Sequence, residues 1–413
     1  MSVLMVIIPD QMSEIVAKGE YQPRYYNPCE LFDEVHILMC NDDRVDPAAV
    51  QRTVGRARLF IHNLPEDNAH FIQRTRWFKP YLLEPWARPF LHVLKEYQFR
   101  LLNEWAEPAV ELARKIQPAL IRCHGNDYNA CVASRIRKEL GIPYIVSLHI
   151  NPDVNPRRRV LDPNASWQDR LFAMLFDAIE IRGLRDAELV LPVYRPIVPY
   201  LERVGCANYE VAYNVLNEDH LRKKDAYALH RPVKVISVGR HFALKNPGNI
   251  IRAVAAMPEV EFTLVGDGAF QESLETLARE SGAGDRIIFR PAIPNDELCR
   301  VLPEYDIFAI HTEHWEISKS VLEALLTGMP TIVNRRIGDP VPELQDDIVL
   351  LVENTVEGYR VALQRLISDH PFREQLGRRA YAHAQEHWAP AKTEAKYVEI
   401  YKRVIDHETH NLK

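Results

Sequence analysis

Short, wholly apolar runs alternate with longer amphipathic stretches along most of the chain. No other feature of the sequence restricts the fold as much. In the first half, residues 3–8, 34–39, 59–61, 120–123, 144–148 and 189–192 read as strands. In the second half, residues 234–238, 261–265, 287–289, 307–310 and 331–334 read the same way. Helical patterns lie between them, among them residues 90–115, 128–140 (closed by Gly141-Ile142-Pro143) and 248–257. A strand that is apolar on both faces has to be covered on both, and a parallel sheet between helices provides that cover. Two successive runs of this kind predict an α/β fold of two doubly wound, Rossmann-like domains. The 413-residue length fits two domains of roughly 200 residues each. The polar, unpatterned stretch 214–232 reads as the linker, which sets one domain at 1–213 and the other at 233–388.

Composition narrows the class of partner. Hydrophobic residues make up 47% and charged residues 26%, enough apolar material for two cores. The net charge of −6 argues against nucleic acid, whose binders carry a basic domain. The six cysteines show no CxxC spacing, so no zinc site, metal centre or disulfide framework is expected, and a reducing cytoplasm is. The first apolar run is too short for a signal segment, lacks a cationic lead-in and meets Pro9-Asp10 at once, so it reads as a strand. No run approaches the roughly 18 apolar residues of a membrane span. Two basic clusters, 74–90 (mixed with aromatics) and Arg157-Arg158-Arg159, fit either contact with anionic lipid at the inner face of a membrane or solvated charge.

In doubly wound sheets ligands sit at the carboxyl ends of strands. After residue 238 the chain reads Gly239-Arg240-His241-Phe242-Ala243-Leu244-Lys245, which sets two cations five residues apart. Held at that point they would stabilise the charge of a departing diphosphate; alternatively they are solvated loop charges. Gly266, in Val265-Gly266-Asp267-Gly268, ends the next strand where backbone can approach a ligand, or serves turn geometry alone. The richest segment runs from His311 to Gly328. Ser318, Lys319 and Ser320 open a helix whose first amides form an anion site. Glu323 lies within an otherwise apolar turn and needs a partner, either a ribose diol or a salt bridge.

Taken in order, these motifs resemble the retaining family 4 glycosyltransferases of GT-B fold, most clearly over residues 233–404. Gly239-Arg240-x4-Lys245 resembles the family's diphosphate-binding pair. Pro294-Asn295-Asp296-Glu297-Leu298 resembles a flanking landmark. Ser320 to Pro330 resembles the second half of a paired-glutamate motif, which implies that Glu323 binds the donor ribose. The resemblance further implies domains facing across a cleft, a crossover helix at 389–413 returning to the first domain, no required metal or cofactor, and a UDP-sugar donor. His124 and His149 resemble two strand-end histidines, the first near the donor sugar and the second in the acceptor pocket; structural capping is the alternative for each. Gly19 and Glu20 stand where the family carries a glycine-rich acceptor loop. The implied acceptor is a glycan, a lipid-linked sugar or a small molecule.

Two positions depart from the pattern. The first motif glutamate would fall at Trp315, with Glu316 and Glu313 beside it; Glu316 is the expected substitute. Pro291 stands where the family prefers glycine near the base pocket. Other readings on the same architecture are a nucleotide-sugar epimerase, a phosphorylase, and a nucleotide-sugar-binding protein without catalysis.

Overall fold

The computed structural model describes residues 2–17, 22–64, 90–154, 177–216, 218–313, 317–336, 340–345 and 347–411. It divides into two compact units. Unit 1 holds most of the chain up to Tyr213 and its end from Glu394; unit 2 holds Asn214–Thr393.

Unit 1 is built on a six-stranded parallel sheet in the order β3-β2-β1-β4-β5-β6. The strands are β1 Val3–Ile8, β2 Glu34–Met39, β3 Arg58–Asn63, β4 Leu120–His124, β5 Tyr144–Leu148 and β6 Leu189–Pro192. Every residue of β1 is buried, as expected of a strand covered on both faces. Each fully buried Ile or Val there contributes about 1.5–3 kcal/mol. The stretch 90–115, expected as one helix, is two: Phe90–Trp105 and Glu107–Ile116. Pro108 causes the break, because a proline without N–H fits the first turn of a new helix but not the interior of an old one.

The last helix, Pro390–Asn411, contributes its residues from Glu394 onward to unit 1. Glu394 accepts the Cys29 amide at 2.7 Å and pairs with Arg24 at 3.1 Å. The Tyr397 hydroxyl donates to the Ala212 carbonyl at 3.2 Å, and Glu210 pairs with both Lys396 and Arg403. This helix also closes a cage around Arg122 of β4, which is only 1% exposed. The Arg122 guanidinium donates to the Tyr25 carbonyl at 2.7 Å and lies 5.3, 5.7 and 5.1 Å from the rings of Tyr25, Tyr26 and Tyr397. Aromatic faces carry the negative part of the ring quadrupole, which offsets part of the cost of burying that charge.

Unit 2 repeats the architecture: β7 Val233–Val238, β8 Val260–Val265, β9 Ile287–Arg290, β10 Ile307–Ile310, β11 Thr331–Asn334 and β12 Leu350–Val352. The order is β12-β11-β10-β7-β8-β9, all parallel. Counted from its own first strand, this is the order of unit 1. Val235, Ile250, Ile251, Phe262, Leu264, Ile307 and Ala309 form the centre of its core. The polar stretch read as a linker is tied to this unit: Lys224 donates to the carbonyls of Pro303 (2.9 Å) and Tyr305 (2.7 Å), and the Tyr227 hydroxyl to Gly328 (3.0 Å). In each sheet the winding reverses between two adjacent strands, β1 and β4 or β7 and β10. The helices there diverge to opposite faces and open a crevice at the strands' carboxyl ends. Among the described residues, no helix is long and apolar enough to cross a membrane. The basic clusters at 74–90 and 157–159 lie outside the described residues, apart from Phe90, whose backbone opens a helix.

Candidate active site

The crevice of unit 2 lies where β7 and β10 end. Beyond β7, the Gly239 amide donates to the Val265 carbonyl at 3.0 Å, and the Gly266 amide to the Arg290 carbonyl at 3.0 Å, so the strand ladder continues into the loops. Gly266 has φ +135°, and a Cβ there would stand 2.1 Å from the Gly239 carbonyl oxygen. Gly268, at φ +146°, is pressed as closely on the backbone of His241 (2.4 Å). Only glycine satisfies both the conformation and the approach. The two loops are further joined by His241 N–H to Asp267 O at 2.6 Å and Phe270 N–H to His241 O at 3.0 Å.

This clamp sets the cations differently. Lys245 is half-buried and its stem runs over Gly239, whose would-be Cβ lies 3.7 Å from the Lys245 Cδ. Arg240 is exposed, with its guanidinium 5.4 Å over the Phe242 ring. Of the expected pair, the lysine is the one folded onto the strand end.

The helix Lys319–Thr327 points its start at the same place. Ser318 caps it by accepting the Val321 amide at 3.4 Å, and Gly328 ends it in the left-handed region at φ +83°. The Ser320 hydroxyl donates to the carbonyl of Val238, the last residue of β7, at 3.0 Å, and lies 3.2 Å from that of Ser318. The helix therefore starts beside Gly239 and the Lys245 stem. A helix start and an ammonium each favour a negative charge, and here the two elements that carry them adjoin. Farther along, Glu323 is 2% exposed, and its Oε1 accepts Asn295 Nδ2–H at 2.5 Å.

A network absent from the sequence reading supports the lysine loop. The Asn246 amide donates to His311 Nδ1 at 2.9 Å, so the ring's proton is on Nε2, which donates to Glu313 Oε1 at 2.8 Å. Burial holds His311 below the usual histidine range, an effect the Glu313 hydrogen bond only partly opposes, in keeping with a neutral ring. Glu313 returns its own amide to the Leu244 carbonyl at 2.8 Å, and Asn334 at the end of β11 donates to Glu313 at 3.4 Å. Glu313 is thus committed to bracing the loop. Glu316 and Trp315 lie outside the described residues.

In unit 1 the corresponding strand ends carry aromatics. His124 closes β4 and His149 follows β5, with ring centroids 4.2 Å apart. Tyr25 and Tyr26 lie edge-on to His124 at 5.5 and 5.8 Å, and the Tyr194 hydroxyl donates to the His149 carbonyl. The structure brings these two predicted residues together. Gly19 and Glu20 lie outside the described residues.

Residues 221–383 match the family described as glycosyl transferases group 1. The matched stretch lies within unit 2. Among its relatives, the chain is 28% identical over 241 residues to 2-deoxystreptamine glucosyltransferase of Streptomyces kanamyceticus, covering 54% of this chain and 60% of that protein. The chain thus spans about three-fifths of that relative's length. Among solved structures, sucrose-phosphate synthase from Thermosynechococcus elongatus superposes with a TM-score of 0.68 at 16% identity, over 98% of this chain and 100% of that one. Anabaena HepE, solved with UDP, gives 0.67 at 14% identity, over 98% and 100%. At such identities the likeness is one of fold: the chain has the GT-B architecture of two Rossmann-like units.

Proposed function

We propose that the chain transfers a sugar from a nucleoside diphosphate donor, UDP-linked in the first instance, to an acceptor hydroxyl with retention of configuration. The observation that carries this reading is the meeting, at the reversal point of the second sheet, of the Lys245 stem, the backbone of Gly239 and the start of the Lys319–Thr327 helix. Such a site fits a diphosphate, whose charge rises as the glycosidic bond breaks. HepE's complex with UDP supports a uridine nucleotide by analogy of fold.

In the proposed reaction the bond between the anomeric carbon and the phosphate oxygen breaks through an oxocarbenium-like state. The acceptor oxygen bonds to that carbon from the face the phosphate leaves, and its proton passes to the departing phosphate. Lys245 and the helix amides take up the phosphate charge, assisted at longer range by Arg240, and Glu323 binds the ribose. Because Glu313 is tied back to His311, Glu316 is the carboxylate assigned to the donor sugar. His124 is assigned to the donor sugar and His149 to the acceptor, a glycan, lipid-linked sugar or small molecule.

A thermal-shift panel of UDP-, GDP-, ADP- and dTDP-sugars tests the donor class, since a ligand that binds only the folded state raises Tm by mass action. One family of donors is expected to stand out. Incubating that donor with candidate acceptors and reading the anomeric configuration of the product tests the chemistry. Binding to none of the four, or a product of inverted configuration, contradicts the proposal.

A further inference from the structure

A buried carboxylate recognises a ribose diol only if its plane is held in advance, because a freely turning group loses rotational freedom on binding. Glu323 is the fifth residue of the helix Lys319–Thr327, whose residues from Val321 to Thr327 are all buried, and is itself 2% exposed. What faces it is an amide from another element. Asn295 opens the helix Asn295–Val301, is half-buried, and donates Nδ2–H to Glu323 Oε1 at 2.5 Å. An asparagine amide can turn over, which would present its oxygen to the carboxylate and repel it. Here a third group sets the orientation. Cys299, one helical turn on and 2% exposed, places its thiol 3.9 Å from Asn295 Oδ1, as a donor. Burial, reinforced by the charge of Glu323, pushes the Cys299 thiol well up, so it keeps its proton. With Sγ–H directed at Oδ1, the amide nitrogen has to face Glu323.

We propose that Asn295 is a positioning residue for donor recognition: clamped by Cys299, it fixes the carboxylate of Glu323 and so sets selectivity for the ribose hydroxyls of the donor. The inference rests on the reading of Glu323 as the ribose contact and adds the residues that orient it. The chain Cys299–Asn295–Glu323 joins two helices that come from opposite sides of β10 in the sequence. A residue that only capped its own helix would have no reason to point its amide at a carboxylate 28 positions away.

The test uses the full chain and calorimetric titration with UDP, GDP and ADP, each beside its 2′-deoxy counterpart, and carries forward the pair that binds best. The native protein is expected to bind the ribo form about tenfold or more tightly than the deoxy form, the range of a hydrogen bond to a charged group. Asn295→Ala should weaken the ribo form about tenfold and leave the deoxy form within about twofold, so that discrimination collapses. In Glu323→Ala discrimination should already be lost, and adding Asn295→Ala should change it no further, because the two act as one unit. Asn295→Asp keeps the shape but sets a second carboxylate against the first; it should lose discrimination as well, and it carries the test if the alanine variant does not fold. Intact ribo-over-deoxy selectivity in a folded Asn295 variant overturns this inference alone. Intact selectivity in Glu323→Ala overturns the assignment of Glu323 beneath it. Binding of none of the six probes overturns the reading of the donor as a ribonucleoside diphosphate sugar.

Discussion

The two sheets share one strand order, yet their reversal points are furnished with different chemistry. At the ends of β7, β8 and β10, unit 2 presents backbone: glycines pressed against carbonyls, a helix start, and one lysine laid over them. At the ends of β4 and β5, unit 1 presents rings: His124 touches His149, Tyr25 and Tyr26, and the two tyrosines also flank the buried Arg122. Both chains of strands deliver their loops to the same kind of crevice. What the crevice can hold is decided by the few residues after each strand: amides and an ammonium suit a phosphate, and ring faces suit a sugar.

Substitutions in each unit can break this contrast. The largest effect is expected at Lys245: Lys245→Ala should lower turnover about 10²-fold or more while Tm stays close to that of the native protein. Full turnover in that variant would remove the phosphate assignment from unit 2. Next comes Arg122→Met, which takes the charge out of the tyrosine cage. It should lower the unfolding free energy by about 2–3 kcal/mol and leave nucleotide affinity unchanged. A matching loss of affinity would mean the two units are not separable as described. Arg240→Ala should cost less than about tenfold in turnover, because its guanidinium stands in solvent over Phe242. An effect as large as that of Lys245→Ala would show that the arginine closes onto the phosphate during the reaction.

The smallest expected effect concerns His311. Its folded pKa is depressed, so the unfolded chain takes up the proton first as pH falls. The associated stability is full above the ordinary histidine pKa of about 6.5 and is lost as pH drops toward the folded value. Between pH 7 and pH 5, His311→Asn should flatten the fall in unfolding free energy by no more than about 1 kcal/mol, read from urea titrations at several pH values. An unaltered slope would mean that the Asn246–His311–Glu313 bridge does not sense protonation.

Much of this architecture could be read from the chain alone, for a physical reason. Strands buried on both faces need unbroken apolar runs, and β1, β2, β5, β6, β10 and β11 have the limits those runs suggest. Strand β12 escaped notice because three residues, Leu350–Val352, make too short a signal. The single helix expected over 90–115 failed because apolar spacing continues through Pro108 while backbone hydrogen bonding does not. At the site, Gly239, Gly266, Lys245 and Ser318–Ser320 were legible because a strand end, a glycine and a helix start are local features. The bracing partners were not. His311 with Asn246, Glu313 with Asn334, and Glu323 with Asn295 are separated by 65, 21 and 28 positions, and nothing in the spacing of such residues says they will meet.

The helix Pro390–Asn411 bears on how the protein is made. Glu394, Tyr397 and Tyr401 supply contacts to Cys29, Ala212 and Phe32 that the ribosome leaves unmade until residues 394–401 have been translated. Unit 2, contiguous from Asn214 to Thr393, has all of its own strands available earlier. The half synthesised first is therefore the half finished last, and during translation it waits with its arginine cage open on one side.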